Sequence, residues 1–98
     1  MGYYTKYELA IISGNNEVDH EYQISKALDY SPFEETCKWY GHEEDMKQYS
    51  FRYPDTIFEL SGEGEESGDI WKKYYKNGKV QVCKAIITFD EFDESKLK

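Results

Sequence analysis

The 98-residue chain has no apolar run approaching the roughly 18 residues a membrane-spanning helix requires. Its start, Met1-Gly2-Tyr3-Tyr4-Thr5-Lys6, lacks the apolar core of a secretory signal, and Lys6 stands where myristoylation wants Ser or Thr. No leader, lipid anchor or membrane partner is therefore expected. Only two cysteines are present, Cys37 and Cys83, without Cys-x-x-Cys or His-x-x-x-His spacing. Reduced thiols in a cytoplasmic protein are expected, and His42, Cys37 and Cys83 do not amount to the four ligands of a structural zinc site. The acids Glu63, Glu65, Glu66 and Asp69 offer hard oxygens, but without the twelve-residue pattern of a helix-loop-helix calcium site. Gly62-Glu63-Gly64 is no phosphate cradle, because the surrounding carboxylates repel phosphate. No nucleophile pattern accompanies either histidine, and among twenty acids a carboxylate pair carries little information. Neither an enzyme, a metal nor a cofactor is expected.

What the chain does hold is aromatic and acidic. Ten tyrosines, five phenylalanines and two tryptophans suit a half-buried sheet, whose Tyr hydroxyls stay wet; the same rings suit an interface. The net charge of −8 opposes direct nucleic-acid binding and favours basic partner surfaces. The charge is unevenly spread. Residues 1–69 carry 16 acids and 5 bases; residues 70–89 carry five lysines and no acid; residues 90–98 return to a net of −2.

Alternation of Tyr7, Leu9 and Ile11 with Lys6, Glu8 and Ala10 predicts a strand over 3–13. Asn15 or Asn16 then caps a predicted helix over 17–29, which Ser31-Pro32 ends. A short strand is predicted over 36–40. After Gly41, a second helix over 42–53 places His42, Met46, Tyr49 and Tyr53 on one face and stops at Pro54. A strand over 56–61 leads into a glycine- and acid-rich loop over 62–69. The strand over 70–75 points Ile70, Lys72 and Tyr74 one way and Trp71, Lys73 and Tyr75 the other. Asn77-Gly78 predicts a type I′ hairpin turn. The partner strand over 79–89 changes its apolar side partway, which predicts a bulge, and the charged 90–98 tail is expected to fray.

The order β-α-(β)-α-β-β-β predicts a single α+β domain, a two-layer sandwich whose mixed or antiparallel sheet carries both helices on one face, ferredoxin-like in class. The stretch from Trp39 to Lys79 resembles small proteins of bacteriophages and mobile elements. It is also loosely similar to ferredoxin-like domains of the YubB type. The likeness rests on Trp39-Tyr40-Gly41-His42-Glu43-Glu44-Asp45-Met46, on a helix ending at Tyr53-Pro54, on the acid-rich turn Gly62 to Asp69, and on the hairpin closed by Asn77-Gly78-Lys79. It implies a fold and an origin, and no activity.

Solvated carboxylates explain most acidic faces as solubilising ones, and edge lysines commonly only prevent aggregation. The sharper expectation is a non-enzymatic binding protein of phage type. Its carboxylates Glu43, Glu44, Asp45, Glu63, Glu65, Glu66 and Asp69 would occupy the basic groove of a host nucleic-acid-binding defence protein, such as a CRISPR nuclease, in place of phosphates. A second expectation is a nucleotide-sequestering domain in which Trp39, Trp71, Tyr74 and Tyr75 stack a base and Lys72 or Lys73 meets phosphate. A third is homodimerisation through the hairpin.

Overall fold

A computed structural model describes residues 3–86 and 89–98. Among the described residues, six strands and α-helices form the body, and a short 3-10 turn over Glu94–Lys96 follows near the end of the chain. The six are β1 (Thr5–Ser13), α1 (His20–Leu28), α2 (His42–Ser50), β2 (Ile57–Gly64), β3 (Ile70–Lys76) and β4 (Lys79–Lys84). The sheet is antiparallel throughout, in the order β1-β2-β3-β4. Sheet neighbours are thus sequence neighbours, without the crossover of the split β-α-β arrangement that the ferredoxin-like class implies.

One face of the sheet is buried. Its register aligns Tyr7, Gly62 and Trp71 in one row, Leu9, Leu60 and Lys73 in the next, and Ile11, Phe58 and Tyr75 in a third. On this face α1 contributes His20 and Ile24, and α2 contributes Met46 and Tyr49, to a single core with Tyr7, Trp39, Phe58, Leu60 and Tyr75. Both helices therefore cover the same face, and burying one such ring is worth about 1.5–3 kcal/mol. The other face carries Lys6, Glu8, Glu59, Lys72 and Gln81; on it Lys72 pairs with Glu59 at 3.6 Å and Lys6 with Glu8 at 3.7 Å.

Several boundaries differ from the sequence reading, each for a local reason. The first helix starts at His20, because Asp19 caps the Tyr22 N–H at 3.0 Å while the Asn15 side chain is used by the Glu17 N–H. It ends at Leu28, and its C-cap Asp29 adopts the left-handed region with φ 69°, two residues before Ser31. The strand expected over 36–40 reduces to one bridge, Thr5 with Cys37, since Trp39 turns into the core. The second helix ends at Ser50; Phe51, Arg52 and Tyr53 donate to carbonyls three residues back, a tightened last turn.

The strand expected to stop at Ser61 runs on to Gly64. Gly62 stays in the ladder because the Trp71 ring lies across the space a side chain would fill. The hairpin turn is as expected, with Asn77 at φ 47° and Gly78 at φ 77°. Ser50 anchors it, its hydroxyl accepting from the Gly78 N–H at 2.7 Å and donating to the Lys47 carbonyl. The last strand ends at Lys84 instead of Phe89, and its register is unshifted through Val82 and Cys83, where the apolar side was expected to change, so no bulge forms there; Ile87 and Thr88 of the expected strand lie outside the described residues. Among the described residues, no helix is long and apolar enough to cross a membrane.

Candidate functional site

At the end of the sheet where β2 turns into β3, the acidic turn is tied down by the chain's first described residues. The Gly64 N–H donates to the Asp69 carbonyl at 2.8 Å, and the Asp69 N–H to the Glu66 carbonyl at 3.1 Å. Across the sheet edge, the Tyr3 hydroxyl donates to Asp69 Oδ2 and accepts the Glu66 N–H at 3.0 Å. The Asp69 carboxylate holding that proton raises the Tyr3 pKa. The Tyr4 N–H donates to Glu65 Oε1 at 3.0 Å. Gly64 permits the clasp, for a Cβ there would strike both the Asp69 carboxylate and the Tyr3 ring.

Beside the turn lies a cleft of about 440 Å³ lined by Glu43, Asp69, Ile70, Trp71, Lys73 and Val82, among others. Its wall is a layered cation site. The Lys73 ammonium donates to Glu43 Oε2 at 3.1 Å and to His42 Nε2 at 2.7 Å, and sits 4.6 Å from the Trp71 ring centroid. His42 stacks on Trp71 with centroids 5.0 Å apart and planes 14° from parallel. Its Nδ1–H donates to the Trp39 carbonyl at 2.8 Å. Burial lowers the His42 pKa, as does the Lys73 charge, so the ring is neutral and free to accept from lysine.

The seven acids of the expected contact surface are thus differently employed. Glu43 and Asp69 come together at one cleft, Asp69 clasped by Tyr3 and Glu43 paired with Lys73. Glu65 is anchored by Tyr4, and Glu63 and Glu66 are exposed beside it. Glu44 is exposed and accepts from Gln48 at 3.2 Å. Asp45 serves the fold, accepting from Trp39 Nε1 at 2.7 Å.

The base-stacking set is not brought together. Trp39 and Tyr75 are core residues without an exposed ring face, at 2% and 0% exposure. Trp71 is covered by His42 and Lys73. Tyr74 and Lys72 lie on the opposite, open face of the sheet, beside Glu59. Alternation along β3 separates the set into two faces, as the sequence itself indicated for this strand.

Sequence reasoning passed over Tyr3, Tyr4 and His42 as positioning residues. Their roles depend on the β1–β2 register and on α2 crossing β3, neither of which a local pattern carries. Among the described residues, no group of three or more His, Cys, Asp and Glu could hold a metal ion, and Cys37 and Cys83 are free thiols. No family model, curated protein or solved structure matches the chain.

Proposed function

We propose that this is a non-enzymatic protein-binding module whose acidic end docks on the basic surface of a nucleic-acid-binding protein. The observation that carries the reading is the clasp of Tyr3 on Asp69 and Glu66, with Tyr4 on Glu65. It fixes carboxylates in place before any partner arrives. Preorganised charge lowers the ordering cost of association, and a carboxylate row presented to a basic groove gives fast, salt-sensitive binding. Exposed Glu63, Glu66 and Glu44 extend the same charge around the end of the sheet.

The likeness of residues 39–79 to small phage and mobile-element proteins supports a setting in which the partner is a host defence nuclease in the bacterial cytoplasm, a CRISPR nuclease being the most concrete form. Affinity capture from a bacterial lysate, read by mass spectrometry at low and high salt, tests this. A basic nucleic-acid-binding protein retained at low salt and released at high salt is the expected result. Retention of no such protein at low salt overturns it.

A further inference from the structure

β4 is the last strand of the sheet, so one row of its backbone groups has no strand neighbour among the described residues. Among the described residues, none beyond it pairs with that edge. Ala85 donates one further bond to the Ile70 carbonyl at 3.1 Å. Ile86, Phe89, Phe92 and Leu97 are 88%, 91%, 80% and 66% exposed. Four large apolar side chains in one short segment are a liability unless something covers them.

The edge and the segment are complementary on both faces. Along β4, Val80, Val82 and Lys84 point to one side, and Lys79, Gln81 and Cys83 to the other. In an extended segment that stops at the 3-10 turn Glu94–Lys96, Phe89, Glu91 and Asp93 share one side, and Asp90 and Phe92 the other. Each side of the segment thus presents one ring and at least one carboxylate. Each side of β4 presents apolar atoms and one ammonium. Two β4 edges would set lysine against lysine, so the edge discriminates against its own kind and in favour of an acidic strand.

A chain's own segment is poorly made to fold back onto its β4. A tight reversal needs residues that accept positive φ, and the sequence directly after β4, Ala85 to Thr88, holds no Gly, Asn or Asp. We propose that the segment of one copy adds as an edge strand to β4 of a second copy, and that the second copy returns the same contact. Such an exchange is a closed, two-fold arrangement that leaves neither edge bare.

Light scattering on the full-length chain, from micromolar to millimolar concentration, tests the proposal. A mass of twice 11.6 kDa is expected at low salt, moving toward 11.6 kDa as salt rises. Phe89→Ser with Phe92→Ser, both at exposed positions, should leave a folded monomer. Lys79→Glu with Lys84→Glu should weaken the dimer about tenfold or more, since like charges would then face each other. Adding Asp90→Lys and Asp93→Lys to that variant should restore it. A monomer at every concentration, or a dimer indifferent to both the ring and the charge substitutions, overturns the proposal.

Discussion

His42 Nε2 accepts a hydrogen bond from the Lys73 ammonium at 2.7 Å while Nδ1–H donates to the Trp39 carbonyl. A lysine can only donate and a carbonyl can only accept, so the geometry fixes the tautomer and requires a neutral ring. Burial, with help from Lys73, keeps the folded-state pKa below the ordinary 6.5. The unfolded chain therefore takes up the proton first as pH falls. The contribution of this group to stability is fully present above the ordinary value and is lost as pH drops toward the lower folded value. Denaturant unfolding of wild type and His42→Phe from about pH 8 to about pH 5 checks this. The stability difference between them should shift against wild type as pH falls; a constant difference would contradict the assignment.

Gly62 and Trp71 face each other across β2 and β3, and a Cβ at Gly62 would penetrate the indole. Gly62→Ala should destabilise by on the order of 1–3 kcal/mol through overpacking. Most of that loss should be absent when Gly62→Ala is made in a Trp71→Val background. Thermal melts of the two single variants and the double variant give the coupling directly.

Tyr75 is fully buried, and its hydroxyl has no hydrogen-bond partner among the described residues. Burial raises its pKa, so the group stays a neutral phenol. An unpaired buried hydroxyl costs about 1–3 kcal/mol, and Tyr75→Phe removes it without leaving a cavity. The variant should match or exceed wild type in melting temperature. A clear loss would mean that the hydroxyl is satisfied in solution.

Tyr3→Phe deletes both the bond to Asp69 and the acceptor of the Glu66 N–H. Amide hydrogen exchange at Glu66 should accelerate, while exchange in the α2 core should not change. Unaltered protection at Glu66 would show that the turn is held by its own backbone bonds instead.

The sheet face of β3, the Asn77-Gly78 turn and the bodies of both helices were legible because each is written in local periodicity or in a positive-φ dipeptide. The continuation of β2 through Gly62 was not. Glycine has low strand preference on its own, and only the Trp71 ring from the next strand makes it the residue that fits. The capping of α1 by Asp19 was hidden for a related reason. Asn15 is an equally good cap by type, but its side chain closes a turn onto Glu17 and its N–H donates to Thr56, a residue 41 positions away. For the site, the acids of the 63–69 turn were legible as a cluster. That Asp45 is committed to Trp39, and that Tyr3 and Tyr4 hold the turn, followed only from long-range pairing.

The charge of the acidic end is best tested by capture with wild type beside the Glu63→Lys, Glu65→Lys, Glu66→Lys variant, each column eluted with short duplex DNA. All three positions are exposed, so the variant should remain folded. Wild type should release a nucleic-acid-binding protein on addition of DNA, and the variant should have retained none. Release of no such protein from wild type, or equal amounts from both columns, would contradict a docking surface made of these carboxylates.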